Sequence, residues 1–310
     1  MADLTASNLT NFTKEMDSIT HSDATQHGLR VFLIVNIIMN SIACPLTIGL
    51  NVLVILAIRR RRSLQSNANI MLACLATTDV LTGLDVQPTF IIWNISQLVG
   101  DEERFTGFLV LQWFLFPWFS LSSCLHLMAV VCERLIAIKF PYHYPSVVTK
   151  RNMKLAILFC WIYSGLCRTS MFLLGKKAGS LYGILASHIP IVCVIFVSSS
   201  YVVLYSETRR HQKLIKDQCL SQEDVKRFLK DRKALKTTVF VVAALGICLL
   251  PVILYIVMVN YDNRVYLVRG GVYTSVTLNS LLNPLIYCWR QQELREFILR
   301  PFSHTVNPIN

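Results

Sequence analysis

Charged side chains are scarce in this chain. Only 15% of its 310 residues are Asp, Glu, Lys or Arg, whereas 54% are hydrophobic. This composition is typical of membrane proteins and leaves no room for a large soluble domain. The first residues, Met1–Ser7, also lack the basic region and apolar core of a cleaved signal peptide. We therefore expect the first apolar segment to direct insertion into a membrane.

Catalytic and metal-binding motifs are also missing. The sequence contains no Ser/His/Asp cluster, no His-Glu-x-x-His and no P-loop. Its ten cysteines fit no zinc or redox spacing. None of them falls in a predicted extracellular loop, so we expect no extracellular disulfide. We predict that the protein is not an enzyme and that the cysteines pack between helices.

Seven apolar stretches are each long enough to cross a bilayer, which takes about 20 helical residues. They lie near residues 31–58, 67–94, 106–138, 152–174, 181–206, 235–259 and 267–288. Of the 30 Lys and Arg residues, 22 lie in alternate connections and in the C-terminal tail. This distribution makes that side cytoplasmic and the N-terminus extracellular. The net charge of +12 therefore indicates no nucleic-acid partner.

The predicted fold is all-α, a seven-transmembrane-helix bundle followed by a short amphipathic helix on the inner membrane surface. Residues 1–29 form a flexible extracellular N-terminus, 30–289 the transmembrane domain, and 290–310 the amphipathic helix and cytoplasmic tail. The apolar residues of the amphipathic segment fall on one helical face and are Trp289, Leu294, Phe297 and Ile298.

Three sequons bear on the topology. Asn8 and Asn11 begin glycosylation sequons on the predicted outer side, so both are candidate glycan acceptors. Asn94 begins a third sequon but lies too close to the membrane for use.

Polar residues interrupt the last span. Thr277, Asn279, Ser280 and Asn283 must face other helices, because lipid offers them no hydrogen-bond partners. Pro284 frees a backbone carbonyl one turn earlier and weakens the helix. The second span carries Asp79 near its middle, and a carboxylate at that depth is a functional candidate.

An ordered set of residues accompanies the seven spans. It comprises Asn51, Leu75, Ala76, Asp79, Glu133, Arg134, Trp161, Tyr201, Pro251, Asn283, Pro284 and Tyr287. This set resembles a rhodopsin-like (class A) G-protein-coupled receptor over nearly the whole chain. The segment 144–149, the short connection between the fourth and fifth spans, and the run 283–295 resemble the melanocortin, adenosine and cannabinoid receptor branch.

The resemblance implies a plasma-membrane receptor. It would bind an extracellular peptide, nucleoside or lipid and activate a heterotrimeric G protein, with arrestin as a further partner. Two alternatives stay open: a seven-helix cation transporter or channel using Asp79 and Asp85, and a receptor-like binding protein that does not signal. Leu135 and Leu249, which stand where relatives carry aromatic residues, motivate the second.

The resemblance also implies an allosteric sodium site. Its residues would be Asp79, Ser123, Asn279, Ser280 and Asn283, which supply the oxygen ligands that a hard cation prefers. The alternative is a protonated Asp79 that is hydrogen-bonded to Asn51 and Asn283.

A switch is implied at the inner side. Arg134 would pair with Glu133 and with Asp231 and so hold the third and sixth helices together. Tyr201, Pro251, Asn283, Pro284 and Tyr287 would complete this switch. The alternative is a surface ion pair worth about 0–1 kcal/mol.

The outer cavity departs from amine receptors. Phe116 stands where those receptors carry an aspartate, and Thr277 stands where opsins carry the retinal lysine. We expect Phe116, Leu249 and Thr277 to line the ligand pocket. Asp85 and Arg168 lie at the same depth, where unpaired charge is costly. They either pair with each other or contact a polar ligand.

Overall fold

The described residues of the computed structural model are 23–101, 103–217, 247–248, 250–251, 254 and 269–303. Within these ranges the chain is helical or in short turns and contains no β-strand, which agrees with the all-α prediction. The helices are α1 Asp23–Arg60, α2 Asn67–Leu81, α3 Gln87–Val99, α4 Thr106–Lys139, α5 Tyr144–Val147, α6 Lys150–Asp217, α7 Arg269–Arg290 and α8 Gln292–Ser303. A π-helical turn, Thr82–Val86, joins α2 to α3, and 3₁₀ turns cover Arg62–Leu64 and Glu103–Phe105.

Local sequence sets several helix ends. Ser66 precedes α2, and its Oγ accepts a hydrogen bond from the Asn69 backbone amide at 3.3 Å. Gly100 ends α3 with a φ of 79°, a left-handed conformation that glycine adopts without a Cβ clash. By length and composition, the described helical segments that can cross a membrane are Gln26–Arg60, Asn69–Val99 and Glu103–Lys139, with a shorter apolar helix at Ile191–Glu207.

The predicted fourth and fifth spans share one run of helical backbone, α6, Lys150–Asp217. In a straight helix Trp161 and Cys193 would lie about 48 Å apart at 1.5 Å per residue. Both nevertheless contact the same part of α4. The Trp161 ring lies 5.8 Å from the His126 ring, and the Cys193 thiol lies 3.7 Å from the Cys124 carbonyl oxygen. The helix α6 is therefore not straight.

The contacts along α6 show that it makes two passes against α4. Arg168 contacts Trp113, near the start of α4, whereas Ser200 lines a surface cavity with Leu135, near its end. The first pass thus runs antiparallel to α4 and the second runs parallel to it, as expected for two spans. The short connection between the predicted fourth and fifth spans, residues 175–180, is helical backbone within α6. That segment contains no proline, so it lacks no backbone donor for continued helical bonding.

The distribution of side chains is the reverse of that in a soluble protein. Along α1, Ile34, Ile38 and Ile42 are 43%, 52% and 60% exposed, while Asn36 and Asn40 are 3% and 1% exposed. Apolar side chains outside and amides inside fit a helix whose outer surface faces lipid. The same inward placement was predicted for the polar residues of the last span, and Thr277, Asn279, Ser280 and Asn283 are all buried.

The inner half of the bundle holds the apolar core. Its most buried members come from several helices and include Val54, Ala57, Met71, Leu75, Val131, Val197, Tyr287, Leu294 and Ile298. Because α8 contributes Leu294 and Ile298, this helix is anchored to the bundle as well as being amphipathic.

Contacts between α8 and the turn after α1 fix its position. The Ser63 hydroxyl donates to Glu293 Oε2 at 2.8 Å, and the Arg61 guanidinium lies 5.6 Å from the centre of the Phe297 ring. The assignment of Trp289 to the same apolar face was wrong. Trp289 belongs to α7 and is 58% exposed, because the break at Gln291 separates it from the periodicity of α8.

Candidate functional site

Asp79 lies fully buried on α2 and faces α7. Its Oδ2 accepts a hydrogen bond from the Asn283 side-chain amide at 3.0 Å. Within the described part of the chain, Asp79 Oδ1 has no hydrogen-bond partner, and neither have the amide oxygens of Asn279 and Asn283. Asn279 precedes Asn283 by one helical turn, so the two amides share a face of α7. Three buried acceptor oxygens without donors suit a hard cation.

The other two predicted cation ligands, Ser280 and Ser123, differ in how deeply they are buried. Ser280 is buried at 5% exposure on α7, whereas Ser123 on α4 is only half-buried. No hydrogen bond joins Ser123 to Asp79 among the described residues. The structure thus joins Asp79 to Asn283 and places Asn279 one helical turn earlier on α7, but it gives Ser123 no direct bond to the carboxylate.

Asn51 serves a different group from the one expected. Its side-chain amide donates to the Ser280 carbonyl oxygen at 3.0 Å and to the Thr47 carbonyl oxygen at 2.9 Å. Pro284 has no N–H to give to the carbonyl four residues earlier, which is that of Ser280. Asn51 therefore supplies the donor that the proline removes. The alternative that Asn51 binds Asp79 was wrong.

At the inner end of α4, Glu133 has two partners. Arg134 Nε lies 3.4 Å from Glu133 Oε2, and the Tyr144 hydroxyl donates to Glu133 Oε1 at 2.6 Å. Glu133 is 3% exposed and Arg134 is 25% exposed, so this ion pair is more sheltered than a surface pair. Burial, then the bond to Glu133 and its charge, raise the pKa of Tyr144, which keeps the phenol protonated as a donor.

The remaining switch residues are partly within the described chain. Tyr287 is buried at 2% exposure, and its hydroxyl has no partner among the described residues. Pro251 lies in helical backbone and is half-buried, and Tyr201 lies in α6. Asp231 lies outside the described residues, so the predicted pair between Asp231 and Arg134 stays a prediction.

Aromatic side chains meet in the outer half. The Tyr273 ring lies 4.3 Å from the Phe116 ring and 5.7 Å from the Phe90 ring. These three residues join α7, α4 and α3, and we call them the aromatic column. Phe116 thus lies between helices in the outer half, and its role in ligand binding stays a prediction. Leu249, another predicted pocket residue, lies outside the described residues.

Asp85 and Arg168 do not pair with each other. Arg168 Nη2 instead donates to the Trp113 carbonyl oxygen, and its guanidinium lies 5.8 Å from the centre of the Phe114 ring. The ion pairs of the described chain do not include Asp85. The mutual-pairing alternative was wrong, because a backbone carbonyl and a ring face hold the guanidinium.

Thr277 lies in a hydrogen-bonded contact between α1 and α7 rather than in an open pocket. Its hydroxyl donates to Asn40 Oδ1 at 3.2 Å. The Asn40 amide donates to Thr274 Oγ1 at 2.9 Å, and the Thr274 hydroxyl donates to Asn36 Oδ1 at 2.6 Å. We call these four residues the α1–α7 ladder. This ladder was not predicted from the sequence, although two asparagines four residues apart in an apolar helix were a usable signal.

Close backbone approach accompanies the ladder. A Cβ atom on Gly270 would lie 3.1 Å from the Phe32 ring, and one on Gly271 would lie 3.2 Å from it. Glycine at both positions therefore lets α7 pack tightly against α1.

The third sequon is not an available glycan acceptor. Asn94 is 2% exposed, and its side-chain amide donates to the Phe90 carbonyl oxygen at 2.6 Å. The prediction that this sequon is unused agrees with its burial.

Comparison with known proteins gives consistent matches. The model of the family described as 7 transmembrane receptor (rhodopsin family) matches residues 50–287. Octopamine receptor beta-1R of Drosophila melanogaster is 25% identical over 79% of this chain, which spans 57% of that receptor's length. Trace amine-associated receptor 3 of Rattus norvegicus is 25% identical over 91% of this chain and 92% of its own. Adenosine receptor A3 of Ovis aries is 24% identical over 80% and 83%.

These matches cover most of the chain, including the helices that carry Asp79, Glu133, Arg134 and Asn283. Amine and adenosine receptors match at nearly equal identity, so they do not separate the branch predicted from the motifs. The prediction of a non-enzyme agrees with a family of receptors. The family match over residues 50–287, on a chain whose described residues are mainly helical and make buried polar contacts between spans, shows that this protein belongs to the rhodopsin-like (class A) family of seven-transmembrane, G-protein-coupled receptors.

Proposed function

We propose that this protein is a plasma-membrane receptor that binds an extracellular ligand and activates a heterotrimeric G protein through the inner end of α4. The arrangement of Glu133, Arg134 and Tyr144 carries the proposal. Tyr144 holds Glu133 from α5, and Glu133 in turn holds Arg134 against its own helix. Because Glu133 restrains the Arg134 guanidinium at the inner surface, breaking this ion pair would make Arg134 available to a G protein.

The switch works by a shift of populations. The receptor has two arrangements, one in which Glu133 restrains Arg134 and one in which Arg134 is released. A ligand with higher affinity for the released arrangement shifts the equilibrium toward it. Even a bias of about 1 kcal/mol changes the ratio of the two states about fivefold. Once released, a guanidinium offers five donors in a planar fork to a G protein, which a smaller side chain cannot replace.

Guanine-nucleotide exchange on purified G proteins tests the coupling role. Basal exchange is compared between the parent, Arg134→Ala and Arg151→Ala, with matched amounts of receptor at the cell surface. Arg151 is an exposed cation at the start of α6, so its variant controls for lost charge at the inner surface. We expect Arg134→Ala to abolish exchange and Arg151→Ala to retain it. Equal exchange by all three proteins across the G-protein families would support a receptor-like protein that does not signal.

The class of ligand is inferred from the relatives and from the residue at position 116. The names of the relatives include octopamine, trace amine and adenosine receptors. In this chain Phe116 occupies the position at which amine receptors carry their aspartate, and it packs on Tyr273. This replacement argues against an amine anchored at that position. A peptide, a nucleoside or a lipid stays in the proposal.

A sodium ion beside Asp79 belongs to the same proposal. The unpartnered oxygens of Asp79, Asn279 and Asn283 would hold it, and its charge would offset the desolvation of the carboxylate. Binding there would favour the arrangement in which α2 and α7 are close, as the Asn283 to Asp79 bond shows them to be.

The N-terminus is proposed to be extracellular, with glycans on Asn8 and Asn11, and the lipid bilayer and arrestin are further proposed partners. Glycosidase treatment of surface protein should change its electrophoretic mobility. No change, combined with antibody access to residues 1–29 only after permeabilisation, would contradict this topology.

A further inference from the structure

Arg168 compensates for a proline in α4. Pro117 lies inside this helix, so the carbonyl four residues earlier, that of Trp113, has no helical donor. Arg168 Nη2 donates to that oxygen from α6, and the Phe114 ring supports the guanidinium at 5.8 Å. The side chain is thus held in one place in the outer half of the bundle.

Arg168 has no acidic partner among the described residues, since no carboxylate of that part of the chain lies within 4.0 Å of it. Its Nε is buried and has no hydrogen-bond partner in that part of the chain. A guanidinium has five N–H donors, and the neutral acceptors around Arg168 accept hydrogen bonds from only some of them. A held, half-buried cation with a spare buried donor is therefore prepared for an anion.

The aromatic column stands beside this cation. The Tyr273 ring packs at a tilt against the rings of both Phe116 and Phe90, and Tyr273 lies within electrostatic range of Arg168. Asp85, the acid at similar depth, has no described contact with the column or with Arg168. Among the residues that the structure describes, the charge shown to act on the aromatic column is the positive charge of Arg168.

We propose that the outer cavity recognises a ligand that carries a carboxylate on an aromatic or similarly flat apolar group. The carboxylate accepts hydrogen bonds from Arg168, and the apolar group packs against Phe116 and Tyr273. This inference rests on the proposed function, because it takes the outer half to be the ligand site, and it names the ligand class. The preference is opposite in charge to that of a receptor with an aspartate at position 116.

Matched probes that differ in charge test the inference on the full-length receptor purified in nanodiscs. The probes are indole-3-acetate with tryptamine, and 3-phenylpropionate with phenethylamine. Binding is measured as the ligand-dependent rise in Tm, which needs no G protein. We expect both acids to raise the Tm of the parent and both amines to leave it unchanged.

Variants assign the effect to the cation. Arg168→Gln retains a donor for the Trp113 carbonyl but removes the charge, and we expect it to weaken apparent binding of the acids about tenfold or more. Arg151→Gln, at the other end of the first pass of α6, should bind as the parent does. Phe116→Asp places a carboxylate in the column and should favour the amines. If Arg168→Gln does not fold, the Phe116→Asp variant still tests the inference.

Several results would overturn the inference. They are no stabilisation by either acid, equal stabilisation of the parent and Arg168→Gln, and stabilisation by the amines that is lost in Asp85→Asn. The last would assign the site to an amine held by Asp85. A receptor that binds the acids through Arg168 but never promotes nucleotide exchange would retain this inference and lose the coupling proposal.

Discussion

The bond from Asn51 to the Ser280 carbonyl makes a prediction about Pro284. Asn51→Leu removes the amide and keeps a similar volume, so it leaves the Ser280 carbonyl buried without a donor. Pro284→Ala provides a backbone N–H that can donate to the same carbonyl. The cost of losing Asn51 should therefore depend on which residue occupies position 284.

The expected magnitude comes from the number of donors available. An unsatisfied buried acceptor costs about 1–3 kcal/mol, whereas interhelical hydrogen bonds in membranes average about 0.6 and reach about 1.7 kcal/mol. With proline at 284 the carbonyl has no helical donor, so we expect Asn51→Leu to cost about 1.5 kcal/mol, near the upper membrane value. In Pro284→Ala we expect about 0.5 kcal/mol, which leaves a coupling energy of about 1 kcal/mol.

Thermal unfolding of the purified receptor measures this coupling. The described cysteines carry free thiols and several are buried, so their reaction with a thiol-reactive fluorophore reports unfolding. A loss of 1.5 kcal/mol corresponds to a fall in Tm of about 3–6 °C. Thr77→Val is the control, because the Thr77 hydroxyl bonds only within its own helix, to the Ala73 carbonyl at 2.9 Å. An equal cost for Asn51→Leu in both backgrounds would refute the assignment of the amide to the carbonyl freed by Pro284.

Four further predictions concern three other contacts. Asp79→Asn should remove any sodium dependence of Tm, measured in sodium against choline chloride at equal ionic strength, whereas equal dependence in the parent and the variant would contradict the cation site. Tyr144→Phe should raise basal nucleotide exchange about two- to fivefold by freeing Glu133, since a hydrogen bond to a charged group is worth about 1.5 kcal/mol or more and part of it is replaced by water. The raised pKa of Tyr144 keeps the phenol protonated, so the contribution of Tyr144 to the free energy of unfolding should be constant between about pH 6 and 9. This contribution should fall only as pH rises past the ordinary tyrosine value of about 10. A change in the stability of the parent below pH 9 that is absent in Tyr144→Phe would contradict this prediction. Thr274→Val breaks two bonds of the α1–α7 ladder and should lower Tm by about 2–6 °C, and a variant as stable as the parent would show that the ladder contributes nothing.

The sequence located the buried acid and its partner but not every partner of the amides. The family resemblance placed Asp79 and Asn283 in one site, and a hydrogen bond joins them in the structure. Asn51 was assigned to the same cluster, yet it binds a backbone carbonyl. The proline that frees this carbonyl was visible in the sequence. Which side chain reaches the carbonyl depends on the relative register of α1 and α7.

Arg168 shows the same limit. Its depth in a span indicated that it needed a partner, and Asp85 was the acid at similar depth. Pro117, however, created an acceptor in the adjacent helix, and the guanidinium binds there. A backbone acceptor carries no charge and has no residue type, so a search for complementary side chains overlooks it. The contact between Tyr144 and Glu133 was missed for a related reason, since their pairing depends on how α5 folds back against α4.

The hydrogen bonds between α1 and α7, those of the ladder and that of Asn51, constrain how the chain is made. The partners that Asn36, Asn40 and Asn51 find on α7 lie more than 220 residues later in the sequence, in the last span to be synthesised. Until then these amides lie in the first inserted helix with no interhelical partner. Each amide also donates to a carbonyl four residues earlier, at 2.8–2.9 Å. This bond lowers the free-energy cost of placing the amide in lipid before α7 is inserted. A nascent chain that stops before α7 thus exposes three unmatched amides, a feature by which membrane quality control can distinguish it from the finished protein.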